Sequence, residues 1–334
     1  MRSSDLDAGR RPPERLLPDV ATYARDALIT SRQAFDTARQ GLMDSLACGF
    51  MALADPDFTR ALGSTVHGAT LAGGARVPGT SLELEPVRAA FSIGAMIGWL
   101  GCNDSRLAVR GCHPADTLGG ILAVADYLAR KAVANGREPP VVRDVLTAMI
   151  KAHEIRATGA LGGRPDDAGP DRVDLVRLAT TAVATAMLGA SLEQVASAVS
   201  HAWADDVATD ASGPGSGMRW AACGATSRGV WHAFSALDTG RPSSPAIPAP
   251  GLGGARPGAR LPAPQRFAGS HSMGKSRSAA ASRAVVARVT ARFERSVAAT
   301  FPVGHCRRIA SLFADASRLD AMPVNEFVAQ FVRN

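Results

Sequence analysis

Cysteine is sparse and irregular in this 334-residue chain: five thiols, at 48, 102, 112, 223 and 306, with no Cys-x-x-Cys among them. An odd, scattered set argues against a disulfide framework and a thiolate zinc site, and it suits a reducing cytoplasm. Aromatics are few as well, at 5%. No uninterrupted apolar run reaches the roughly eighteen residues a membrane span needs, so none is expected. The opening MRSSDLDAGRRPPER has charge but no apolar stretch and does not read as a secretory signal. Acid is also missing from one region. Between Arg241 and Arg308 twelve Lys/Arg face a single acid, Glu294, a local balance of +11 within an overall +7. The basicity therefore belongs to one segment. Such a segment would attract nucleic acid electrostatically, but only Phe267 and Phe293 precede Phe301 in it, too few for base stacking. A solvated stretch is the simpler reading, and no nucleic-acid partner is expected.

What is present is globular: 46% hydrophobic residues with 20% charged. The length suffices for one large or two ordinary domains. Residues 1–17 read as a disordered leader. Helical spacing follows at 20–30 and at 32–53, where Ala34, Ala38, Leu42, Leu46 and Phe50 line one face. The stretch 63–86, rich in Gly, Pro and Thr, reads as a loop with short extended pieces. Further helices are expected at 87–100, 141–156, 173–188, up to about 204 behind a Ser191-x-x-Gln194 capping box, and 219–237. Gly189 suits the left-handed end of the third of these. With no sustained period-two pattern, the fold class is mainly α. Residues 239–283, dense in Pro, Gly and Arg, show no regular pattern, and helical spacing returns over 284–334.

The most informative stretch begins at His113-Pro114. A residue before proline is pushed toward extended geometry, so the histidine stands on a loop. Asp116 or Thr117 can cap the helix that follows. Leu118, Ile121, Leu122, Ala125 and Leu128 form its apolar face. His113 thus sits beside a helix N-terminus, whose free amides favour anions. Spacing alone leaves open a histidine that merely packs in a loop. Other constellations point to solvent or core. Asp166-Asp167 and Asp205-Asp206 are adjacent acids in Gly-rich loops, which are usually solvated. His153-Glu154 lacks the second histidine of a helical zinc motif, and so reads as a core histidine or one just behind a site. No metal is expected. Gly119-Gly120 lacks the Gly-Lys-Ser/Thr of a phosphate loop and suits close helix packing instead.

The wording of the stretch goes further. His113-Pro114-x-Asp116-x-Leu118-Gly119-Gly120-Ile121-Leu122-Ala123-Val124-Ala125-Asp126-Tyr127-Leu128 resembles the MmgE/PrpD family of 2-methylcitrate dehydratases. So do Gly74-Ala75-Arg76-Val77-Pro78-Gly79-Thr80-Ser81, Asn103-Asp104-Ser105, Lys151-Ala152-His153-Glu154-Ile155, Ala225-Thr226-Ser227-Arg228 and Met322-Pro323-Val324-Asn325-Glu326-Phe327. The resemblance covers about 18–240 and 286–332. It implies a helical domain completed by both chain ends, with an α+β domain inserted between them. On that reading 18–238 is the helical domain, 239–283 a low-order remnant of a largely missing insertion, and 284–334 the completing helices.

The implied activity is a metal-free and cofactor-free hydro-lyase of the methylcitrate cycle, a cytoplasmic homodimer acting on a tricarboxylate. Elimination of water needs a base beside a carboxylate, an acid for the leaving hydroxide, and cations for the substrate. The resemblance assigns His113, Ser105 and Asp104 to catalysis. Asn103, Arg110, Arg172 and Arg219 fall to substrate binding, the arginines by bidentate pairing. The chain also departs from the family. Gly101 stands where the family has an aspartate, Arg172 where it has a second histidine, Met218 where it has a lysine, and Gly224 where it has another aspartate. Glycine and methionine transfer no protons, so turnover is expected to be impaired in this chain. The alternative is a non-catalytic family remnant that dimerises or binds tricarboxylates.

Overall fold

A computed structural model of the chain describes residues 13–101, 113–161, 172–205, 216–238 and 279–333. Among these the fold is mainly α, as expected, with thirteen α-helices and one two-stranded antiparallel sheet. The first part holds α1 (Pro13–Asp26), α2 (Arg32–Ala52), α3 (Pro56–Ala61), strands β1 (Ala75–Arg76) and β2 (Glu83–Leu84), and α4 (Pro86–Gly98). A 3-10 turn at Pro114–Thr117 leads into α5 (Leu118–Ala134), followed by α6 (Val142–Leu161), α7 (Arg172–Met187), α8 (Leu192–Ala204) and α9 (Ser216–Asp238). Then come α10 (Ala279–Thr300), α11 (Val303–Ala314), α12 (Ala316–Ala321) and α13 (Val324–Ala329). No helix among the described residues is long and apolar enough to cross a membrane.

Local chemistry sets the boundaries. Ser31 accepts a hydrogen bond from the Ala34 amide at the start of α2, and Glu85 accepts from the amides of Val87 and Arg88 at the start of α4. Ser191 and Gln194 close the expected capping box of α8. Gly189, at φ +79°, ends α7 in the left-handed geometry. The first helix differs from expectation. It starts at Pro13, where a proline has no amide to lose, and so takes in the end of the segment read as a leader. It also stops at Asp26 instead of reaching 30. There the buried Lys151 ammonium donates to the carbonyl oxygens of Ala24 (2.7 Å) and Arg25 (3.4 Å), satisfying the helix end.

The α2 stripe of Ala34, Ala38, Leu42, Leu46 and Phe50 is buried, as are Val142, Val145, Leu146 and Met149 on α6. The centre is built from α4, α5, α7 and α9. Glycine decides how closely they meet. A Cβ on Gly119 would stand 2.5 Å from the Ala90 carbonyl oxygen of α4, and one on Gly120 2.6 Å from Thr180 Cγ2 of α7. The Ala90 backbone cannot yield as a flexible side chain can, and the β-branched Thr180 is itself stiff, so α5 carries the glycine pair at its contact with both helices.

The C-terminal helices interlock with the N-terminal half. Asp126, buried on α5, accepts from the Arg76 amide (2.8 Å) and from its Nε (3.1 Å) and Nη2 (2.5 Å). The same Nη2 donates to the Asn325 carbonyl oxygen at 2.6 Å. Three separate stretches of the resemblance thus meet at one ion pair. Asp320 likewise accepts from Arg39 (2.8 and 2.6 Å) and from Arg143 (3.0 Å). The Gly79 amide donates to the Phe331 carbonyl oxygen at 2.6 Å, and the Val142 amide to that of Met322 at 2.9 Å. Phe50 of α2 packs edge-on against Phe301, just past the end of α10, ring centres 5.2 Å apart.

Candidate active site at the His113 turn

His113 has the extended backbone its proline demands, φ −83° and ψ 121°. It precedes the 3-10 turn, which α2, α4, α5, α6, α7 and α9 all touch. The main chain at this point is gripped from two sides. The His113 carbonyl oxygen accepts from the Asp116 amide at 3.1 Å, closing the turn. It also accepts from Arg156 Nη1 at 2.5 Å. The other arm of that guanidinium, Nη2, donates to Asp116 Oδ2 at 2.7 Å. Arg156 is fully buried. Of Asp116 and Thr117, either of which could cap α5, Thr117 takes the N-cap position but its side chain makes no cap bond. The Asp116 carboxylate pairs with Arg156, and the Thr117 hydroxyl donates back to the Pro114 carbonyl oxygen at 3.3 Å.

Two further groups define the electrostatics. His153, one helical turn before Arg156, is fully buried, and neither ring nitrogen meets a hydrogen-bond partner among the described residues. Burial, reinforced by the Arg156 charge, pushes its imidazole down to about 3, so it is neutral near pH 7. A satisfied core histidine was one expectation for this residue, and the described residues do not supply the satisfaction. On α9, burial and then the Asp116 carboxylate push the Cys223 thiol up to about 12. That thiol stays protonated and is no nucleophile. α9 itself packs against the 3-10 turn that follows His113. Aromatics join the start of α9 to the end of α4, with Trp220 stacked on Phe91 at 5.6 Å and edge-on to Trp99 at 5.8 Å.

Of the residues singled out from the sequence, His113 lies within the described residues. Arg172 opens α7, and Arg219 lies in the first turn of α9. Asn103, Asp104, Ser105 and Arg110 lie outside the described residues. Sequence reasoning missed Arg156. Its signal was a charge on the stripe Val142, Val145, Leu146, Met149, His153, where an apolar residue belongs. A cavity of about 520 Å³, lined by Phe50, Leu53, Leu100, Arg292, Arg295 and Arg333, lies at the α2–α10 seam, and His113 does not line it.

The Ala225–Arg228 run proves architectural. Thr226 accepts from the Gly120 amide (3.2 Å) and meets Thr180 (3.2 Å). Ser227 donates to the Val87 carbonyl oxygen (2.8 Å). Arg228 pairs with Asp205 (2.7 Å) and lies over the Trp231 ring. The hydrogen bond from Arg228, with a second from His232, holds the Asp205 carboxyl down to about 2. Asp205 is therefore engaged by side chains, not merely solvated.

Residues 18–253 match the MmgE/PrpD N-terminal domain. The chain belongs to the MmgE/PrpD family. It is 46% identical over 250 residues to a 2-methylcitrate dehydratase of Cupriavidus necator, covering 73% of this chain and 51% of that protein. To the 2-methylcitrate dehydratase of Escherichia coli K12 it is 46% identical over 252 residues, 74% of this chain and 52% of that one. A mitochondrial 2-methylcitrate dehydratase of Yarrowia lipolytica is 43% identical over 236 residues, covering 69% and 45%. The chain spans about half the length of these relatives. Gly101, which the resemblance sets against a family aspartate, has a φ of +62°, in the left-handed region.

Proposed function

We propose that this MmgE/PrpD chain is a hydro-lyase of the 2-methylcitrate dehydratase type, with a tricarboxylate as substrate and His113 as its proton-transfer group. Elimination breaks a C–H bond beside a carboxylate and a C–O bond at the hydroxyl-bearing carbon, and the hydroxyl leaves as water. Imidazole chemistry suits the proton step near neutral pH. In this reading Ser105 and Asp104 assist proton transfer. Asn103, Arg110, Arg172 and Arg219 bind the substrate carboxylates, and no metal or cofactor takes part. The observation that carries the proposal is the placement of His113. It stands beside a turn that six elements touch, its main chain fixed by a buried guanidinium, in a chain 46% identical over about three quarters of its length to proteins named for this reaction.

A second reading is supported by the replaced positions. Gly101, Met218 and Gly224 supply no acid, base or charge, and Gly101 has a backbone conformation suited to glycine. In that reading the chain binds tricarboxylates, or pairs as a homodimer, without turnover. Dehydration of 2-methylcitrate, followed by ultraviolet absorbance of the unsaturated product, separates the two. The protein must first be shown folded by circular dichroism. Turnover that His113→Ala abolishes supports the hydro-lyase. A folded but inert protein whose melting temperature rises with citrate-like ligands supports the binding reading. Turnover indifferent to His113→Ala removes that residue from the mechanism.

A further inference from the structure

We infer that Arg156 is the positioning residue for His113: its guanidinium, forked between the His113 carbonyl oxygen and the Asp116 carboxylate, fixes the main chain from which the imidazole projects. The inference rests on the reading of His113 as the proton-transfer group.

Three constraints converge on that residue. Pro114 confines the His113 backbone to the extended region, and the observed ψ of 121° obeys it. The Asp116 amide pins the carbonyl oxygen from inside the turn, and Arg156 pins it from α6. With the peptide plane held, the direction of the Cα–Cβ bond is set, and only the two side-chain torsions remain. The anchor itself is rigid. α6 buries Val142, Val145, Leu146 and Met149 in the core, and its Lys151 is bonded to the end of α1.

Fold stability does not require an arginine here. A buried ion pair is expensive to desolvate, and replacing both partners with apolar residues is often neutral or stabilising. The surrounding stripe is apolar, so a leucine or methionine at 156 would continue it. What an apolar side chain cannot do is hold a carbonyl oxygen and a carboxylate at once. Arginine's planar fork does both, whereas lysine is a point charge on a flexible stem.

The test uses the whole chain, labelled with carbon-13 in its histidine rings. The His113 ring signal is assigned by its loss in His113→Ala. Three variants are compared: Arg156→Met, Arg156→Lys, and the pair Arg156→Met/Asp116→Leu, which removes both charges and strands neither. In the folded pair variant the His113 signal is expected to shift and broaden, while those of His232 and His305 stay in place. Arg156→Lys is expected to fall between. Where wild-type dehydration is measurable, kcat should fall about 10–100-fold with KM changed less than about twofold, the pattern of lost alignment. An unmoved His113 signal in the folded pair variant overturns the inference. So does a shift shared equally by all three histidines, since that marks a general loss of structure. Should neither apolar variant fold, Arg156→Lys decides on the same signal. The two claims fail separately. Turnover surviving His113→Ala sinks the functional reading, whereas an inert His113→Ala beside a fully active pair variant sinks the positioning role alone.

Discussion

Neutral, buried His153 should make this protein acid-sensitive well above the carboxylate range. The perturbation is pH, and the control is His153→Leu. In the folded chain the imidazole is pushed from 6.5 down to about 3 by burial and by Arg156. The unfolded state therefore binds a proton below pH 6.5 that the folded state refuses until about pH 3. Where the unfolded state holds more protons, stability rises with pH. Its contribution is thus fully present above 6.5 and is lost as the pH falls toward 3. Each pH unit inside the window costs about 1.4 kcal/mol, or about 2 kcal/mol in total by pH 5. Urea unfolding at several pH values between about 7.5 and 5 measures it, before the carboxylates titrate. The difference between wild type and His153→Leu should change with pH at that slope, because His232 and the other histidines are common to both. A constant offset from leucine packing is irrelevant to the slope. Parallel curves for the two proteins would refute the argument and mean that His153 gains a proton-accepting partner.

Two structural predictions accompany it. Asp126→Ala strands the Arg76 guanidinium, whose side chain is only 14% exposed, and should cost about 3–5 kcal/mol in urea unfolding. A loss below about 1 kcal/mol would show that the chain ends do not depend on this pair. Gly101→Asp, which restores the family acid, forces a Cβ into φ +62°. It should lower stability by about 1 kcal/mol, a melting shift of about 2–4 °C. An unchanged melting temperature would mean that the loop relaxes around it.

Much of the framework was legible because it is local. The stripe from Ala34 to Phe50, the Ser191–Gln194 box and the turn at Gly189 each depend on residues within one or two helical turns, and periodicity reports them. The extended backbone at His113 followed from a single proline. Asp116 shows where such reading stops. By sequence it is one of two candidate caps, with Thr117, since a carboxylate at that spacing usually finds its own helix's amides. In the fold it faces Arg156, forty positions away, and a charge-assisted bond to a buried guanidinium wins over a cap. Arg76, Asp126 and Asn325 stood in recognisable stretches, yet nothing local says that they meet. The same holds for Ser227 and Val87, which are 140 positions apart and joined by one hydrogen bond. The resemblance implies which residues would form a site, and the geometry sets Arg156 against the His113 turn.

The seam between the two ends of the chain also has a consequence for synthesis. α2 waits for α10, and the loops around Arg76 and Gly79 wait for Asn325 and Phe331. At about 5–20 residues per second, the ribosome needs roughly ten to fifty seconds to deliver the later partners. Throughout that interval the apolar face around Phe50 lacks its cover, and Arg76 lacks one of its acceptors. Contacts of such long range slow folding as well. The nascent chain should therefore be a client for chaperones until Asn325 and Phe331 emerge, and its yield in cells should depend on that supply more than the finished domain's stability would suggest.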